Sequence, residues 1–330
     1  KVISAEQAAA FIKDGMTVGM SGFTRAGEAK AVPLALVKQA KANPLKITLI
    51  TGASLGNDLD KQLTEAGVLA RRLPFQVDNT LRKAINKGEV MFIDQHLSET
   101  VEQMRNLQLK KPDVAVIEAV AITEDGGIIP TTSVGNSASF AIFAKEVIVE
   151  INTNLSPAFE GLHDIYIPSY RPTRQPIPLT QVDERIGTSA INIDPSKIVG
   201  IVFNSEYHDS PSTVTEPDDE TQGIANHLIA FFEKEVEEGR LPKDLGPLQA
   251  GIGSIANAVL TGLKESNFEN LVMYSEVLQD CTFELIDAGK MKFASGSSIT
   301  LSAKYGEKVF NNLEQYKDKL VLRPQEISNH

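Results

Sequence analysis

The stretch LQAGIGSIANAVLTGLKESNFENLVMYSEVLQD, residues 248–280, decides the fold. Leu248 to Gly253 reads as a short strand entering a glycine turn, and Ile255 to Leu263 as a helix burying Ile255, Ala256, Val259, Leu260 and Leu263 on one face. The apolar run Leu271 to Tyr274 predicts the next strand, and Glu276 stands at its end. A helix follows from Leu278 to Ala288, with Leu278, Cys281, Thr282 and Leu285 at helical spacing and Gly289 as its stop. Strand, glycine turn, helix, strand, Glu276, helix is the order of an open parallel sheet, where ligands collect at the carboxyl ends of strands. The glycine turn and Glu276 are therefore expected in one crevice.

Upstream the same alternation continues. Ser4 with Gln7 forms a capping box for a helix to Lys13, and Met16 to Met20 predicts a strand. Helices are expected over 32–42, 79–85 and 101–106, and strands over 47–51, 90–94, 114–122 and 147–151. Several of these strands are almost continuously apolar, as when helices cover both sheet faces. This predicts a doubly wound α/β unit. Residues 155–195 are proline-rich and read as an excursion over the surface, and the polar loop 204–219 reads as a domain boundary. Beyond it, a helix from Thr221 to Glu238 is expected to bury Ile224, Leu228, Phe231 and Phe232.

Composition limits the function. A chain of 330 residues suggests about two domains, and a net charge of -11 opposes a nucleic-acid or anionic-membrane partner. The lone cysteine, Cys281, excludes an internal disulfide and sits where a buried structural thiol is expected, which suits a cytoplasmic protein. No apolar run reaches membrane-spanning length and no signal peptide is visible. Lys1 is not an initiator methionine and the chain stops at Asn329-His330, so both ends read as trimmed.

Gly251-Ile252-Gly253-Ser254-Ile255-Ala256 has three readings. It fits a dinucleotide fingerprint whose acidic partner would be Glu276, as in a nicotinamide-dependent dehydrogenase. It also fits a turn whose amides hold a pantetheine or phosphate-bearing ligand, or a plain strand-to-helix connection. Glu276 in turn is either a solvated strand-end residue or a carboxylate nucleophile, which must be ionised, partly desolvated and beside an electrophilic carbonyl. The loop Ser21 to Gly27 offers small residues and free amides for a carboxylate, with Arg25 as charge partner, or is an ordinary turn. Tyr207-His208-Asp209-Ser210 collects triad residue types, but adjacency argues against a triad. His96, His163, His227 and His330 lie far apart with no metal-binding spacing, so no metal is expected, and no phosphate loop occurs.

DGMTVGMSGF (14–23), KAVPLAL (30–36), FIDQHLSE (92–99), GIGSIANAV (251–259), YSEVLQD (274–280) and LRPQEISN (322–329) together resemble the acetyl-CoA hydrolase/transferase family. The likeness runs through essentially the whole chain and points in particular to the succinyl-CoA:acetate and propionyl-CoA:succinate CoA-transferase branch. It implies two doubly wound open-sheet α/β domains of the CoA-transferase type, over 1–210 and 211–330, the second incomplete at its C-terminus. It makes Glu276 the nucleophile that passes through acyl-glutamyl anhydride and glutamyl-CoA thioester, with Asn329 as a donor to the thioester carbonyl. It gives Ile252, Gly253, Ser254, Ile255 and Ala256 to coenzyme A binding, with acyl-CoA and a short-chain carboxylate as substrates, no tightly bound cofactor, and a homo-oligomer. Hydrolysis would need only water in place of the acceptor. Family chains run on through a glycine-rich segment that adds a backbone donor and CoA contacts, so a non-catalytic acyl-CoA-binding module is a further alternative. Some relatives carry an arginine in the 207–210 loop and this chain has none, so the acyl preference does not carry over.

Overall fold

The structure is a computed structural model and describes residues 1–213 and 217–330; part of the expected boundary loop, residues 214–216, lies outside the described residues. The apolar runs form the strands. The first sheet is built from Thr17–Met20 (β1), Ile47–Ile50 (β2), Leu69–Leu73 (β3), Met91–Phe92 (β4), Val114–Ile122 (β5), Ile128–Pro130 (β6), Glu146–Asn152 (β7) and Ile198–Asn204 (β8). Its order is β4-β3-β2-β1-β5-β7-β8, with β6 antiparallel on β5 and all other pairs parallel. The order reverses at β1. The loop after β1 thus opens at the point where neighbouring connections diverge, which is where an open α/β sheet leaves a crevice.

The second sheet is parallel and runs in chain order: Pro247–Leu248 (β9), Leu271–Tyr274 (β10), Met291–Gly296 (β12) and Leu320–Leu322 (β14). Between them Val277–Leu278 (β11) and Ser298–Ile299 (β13) form a small parallel ribbon. Leu278 therefore belongs to this ribbon and not to the helix expected over 278–288, which spans Asp280–Asp287 and stops at Gly289 with φ 71°. One apolar cluster runs from Ile117 on the first sheet and Phe140 on the helix Ser137–Phe143 to Leu271 and Met273 on the second sheet and Leu278 on the ribbon. The capping box at Ser4 is present, but its helix ends at Ala9.

Two burial expectations fail for one physical reason. β9 is only two residues long, so the glycine turn projects past the sheet; the helix Ser254–Glu265 buries Ala258, Leu260 and Leu263, whereas Ile255 is 48% exposed and Ala256 and Val259 are half-buried. The helix Asp219–Glu237 packs on that helix rather than on a sheet. It buries only Ala225 and leaves Phe231 52% exposed. Periodicity shows which face is apolar, not what covers it.

Candidate active site

Glu276 lies between β10 and β11, half-buried, its carbonyl accepting from Ser297 N at 2.7 Å. The glycine turn is tied to this strand end. Ser275 Oγ donates to the Ala250 carbonyl at 3.1 Å, and Gln279 Nε2 donates to the Gly251 carbonyl at 3.2 Å. Ile252, Gly253 and Ser254 line one cleft together with Val277, and all five turn residues through Ala256 line an apolar hollow of about 520 Å³ with Phe232 and Leu248. Gly253 adopts φ 145°, reserved in practice for glycine.

Asn329 reaches Glu276 from the other side. It caps the helix Gln325–Ser328, and Tyr274 Oη on β10 donates to the Ile327 carbonyl at 2.6 Å, which holds that helix end at the strand. Burial raises the Glu276 pKa above the ordinary carboxylate value, and the polar side chain of Asn329 beside it opposes that rise. Asn329 Oδ1 is buried with no partner among the described residues.

The positioning residues around this pair have no motif of their own and escaped the sequence reading. Gln325 Nε2 donates to the carbonyls of Gly52 at 3.1 Å and Leu97 at 2.8 Å, so the first unit's strand-end loops grip the helix that carries Asn329. Glu326 makes two bonds to Arg105, at 2.6 and 2.8 Å. A glutamine and a glutamate just ahead of ISN were the only available signal.

The loop at 21–27 departs from expectation. Most of its amides are taken: Phe23 N donates to Ala26 O, Arg25 N to Ser54 O, Ala26 N to Phe23 O and Gly27 N to Asp209 Oδ2. The Arg25 side chain, which is exposed, is the charged group of this loop that can meet an anion. His208 and its neighbours form no triad: Asp209 pairs with Lys30 at 2.8 Å, Ser210 Oγ accepts from Asn57 N at 3.0 Å, and His208 is exposed. Cys281 is buried beside Asn257 and its thiol is pushed up to about 12, first by burial, which removes it as a nucleophile at neutral pH. No helix among the described residues is long and apolar enough to cross a membrane.

Two open parallel sheets meeting at strand-end loops, with a glutamate beside a glycine turn, define an α/β protein of the CoA-transferase type. A solved 4-hydroxybutyrate CoA-transferase from Porphyromonas gingivalis shares the fold, with a TM-score of 0.65 at 19% identity over 100% of this chain and 69% of that one. The model of the acetyl-CoA hydrolase/transferase N-terminal domain matches residues 1–203. The chain belongs to the acetyl-CoA hydrolase/transferase family. It is 45% identical to a succinyl-CoA:acetate CoA-transferase of Clostridium kluyveri, over 100% of this chain and 62% of that protein. It is 43% identical to an acetyl-CoA hydrolase of Schizosaccharomyces pombe, over 97% of this chain and 63% of that protein. The chain thus spans less than two thirds of the length of these relatives. Family membership displaces the dehydrogenase reading of the glycine turn.

Proposed function

We propose that the protein moves coenzyme A between a short-chain acyl-CoA and a carboxylate, with Glu276 as the covalent nucleophile. The observation that carries this reading is the Glu276 carboxyl, half-buried at a strand end, near the Asn329 side chain and next to the glycine turn. A glutamate oxygen attacks the thioester carbonyl; the C–S bond breaks and CoA leaves as thiolate, giving a mixed anhydride. The thiolate then attacks the glutamyl carbonyl and the original acid leaves as carboxylate. An incoming carboxylate reverses both steps and departs as the new acyl-CoA. Partial burial suits this route, because the anhydride survives only where water is kept out. An Asn329 side-chain N–H would hold the glutamyl carbonyl oxygen once Glu276 is acylated.

The coenzyme is assigned to the glycine turn. Ile252 and Ile255 are 64% and 48% exposed, apolar side chains that a pantetheine arm would cover, and the neighbouring hollow gives it a wall. Ser254 opens a twelve-residue helix whose N-terminal amides suit an anionic group. Hydrolysis on the same site is the second reading, favoured by relatives named acetyl-CoA hydrolase. We place the boundary between the two units at 210/211.

The test incubates the protein with an acyl-CoA alone and maps adducts by peptide mass, with and without borohydride. A CoA adduct, or its reduced product, is expected on the peptide carrying Glu276. The same adduct in Glu276→Ala would refute the assignment.

A further inference from the structure

We propose that Arg25 binds the distal carboxylate of a dicarboxylic acyl group or acceptor, so that this residue sets a preference for four-carbon diacids over acetate; the inference rests on the CoA-transfer reading above. The loop that carries Arg25 is rigid and strained. Thr24 and Arg25 are consecutive non-glycine residues in the left-handed region, with φ 52° and 65°. Such conformations persist where the surroundings over-determine them, and they concentrate at ligand-holding positions. Here the determinants are visible: Arg25 N donates to Ser54 O at 3.0 Å, Thr300 Oγ1 donates to Thr24 O at 3.1 Å, and Ser133 Oγ donates to Ala26 O at 2.9 Å.

The loop presents Arg25 to a cavity of about 310 Å³ between the two units. Leu155, Ile299, Leu301 and Phe310 give it an apolar wall, and Arg25 and His208 stand among a polar lining that also includes Asn152, Ser210, Thr300 and Ser302. Among the described residues Arg25 pairs with no carboxylate, although Asp209 and Glu307 line the same cavity. Asp209 is engaged by Lys30 at 2.8 Å, and Glu307 is exposed on the opposite helix. An exposed guanidinium with no ion-pair partner among the described residues is free to receive an anion.

The cavity adjoins the chemistry. Phe23 packs against Val277, the residue after Glu276. Ser133, which holds Ala26, bridges Ser298, whose amide donates to the Glu276 carbonyl at 3.3 Å. Thr300 and Ser302 line both this cavity and the cleft containing Gly253 and Val277. A cavity with an apolar wall on Leu155, Ile299, Leu301 and Phe310 and a guanidinium at Arg25 fits a short methylene chain that carries a second carboxylate. Acetate has no group to reach it.

The experiment compares kcat/KM for succinyl-CoA and acetyl-CoA in the wild type, Arg25→Gln and Arg25→Lys, and traps the Glu276 adduct from each donor. The succinyl-to-acetyl ratio is expected to fall about 10–100-fold in Arg25→Gln and to recover in part in Arg25→Lys. A ratio that moves less than about twofold, an equal fall on both donors, or a wild type that accepts no dicarboxylic donor or acceptor overturns the assignment. The trapping arm separates the two levels. If the wild type forms no Glu276 adduct with any acyl-CoA, the transfer reading fails and this inference falls with it; if adducts form normally and the ratio does not move, only the role of Arg25 is lost.

Discussion

Arg105 and Glu326 lie 221 residues apart in the chain and meet in a buried bidentate pair, with bonds of 2.6 and 2.8 Å. The guanidinium also bonds Glu102 at 2.5 Å, and Glu102 in turn pairs with Arg171 and Arg174, each at 2.8 Å. Removing one partner strands the other charge in the interior, which costs about 3–5 kcal/mol. Arg105→Gln is therefore expected to lower the denaturant midpoint strongly. A drop no larger than that of an exposed charge, such as Lys87→Gln, would contradict the account.

Glu326 sits three residues before Asn329, so the same anchor bears on the Glu276 pair. Asn329→Ala removes a side-chain donor without touching that anchor. It is expected to lower kcat about 10²–10³-fold with little change in KM for CoA esters, as for other single oxyanion donors. Stopped-flow turnover checks it; a change confined to KM would place Asn329 in binding instead.

The sequence alone made much of this site legible, and its limits are specific. Leu271–Tyr274 was readable because four apolar residues stand between turn-forming neighbours, and Val114–Ile122 because its almost continuous apolar run, rich in β-branched valine and isoleucine, suits a buried parallel strand. Glu276 and the glycine turn were placed together by strand order. The contacts of Arg105, Gln325 and Lys30 were not legible, since each joins segments that no local pattern relates. Gln325, for example, reaches Gly52 across 273 positions. Leu278 was taken for a helix because its spacing to Cys281 and Leu285 is helical; the pairing with Ile299 that claims it for a strand is long-range.

The buried cluster under the first loop predicts a pH dependence of stability. Burial pushes Glu28 up to about 7, against the attraction of Lys30 and with the repulsion of Asp209. Burial likewise pushes Glu118 up to about 8, against Lys30 and with Asp209 and Glu150. Both values stand above the ordinary 4.5, so the folded state holds protons that the unfolded state has released. Their contribution is fully present below about pH 4.5 and is lost as pH rises through 7 to 8. The contribution of this cluster should fall between pH 5 and 8, while buried His163, held down to about 4 from 6.5 by burial, works in the opposite sense below about pH 6.5. Glu28→Gln should flatten that slope in urea titrations, and an unchanged slope would assign the dependence elsewhere.

Gly52 tests how closely the first unit grips the Asn329 helix. A Cβ there would lie 2.7 Å from the Gly22 carbonyl oxygen, 2.8 Å from Gln325 Oε1 and 2.9 Å from Phe23 Cδ2. One neighbour is backbone and another is the side chain that anchors the helix, so relief requires moving one of them. Gly52→Ala should cost about 1–3 kcal/mol by overpacking and should also lower kcat, because displaced Gln325 loosens Asn329. Gly67 is the control, since a Cβ there meets nothing within 4 Å and its φ of 71° carries only backbone strain. Loss of stability in both variants, with loss of turnover in Gly52→Ala alone, is the expected pattern in paired thermal-melt and rate measurements. Equal turnover in the two would detach the helix anchor from catalysis.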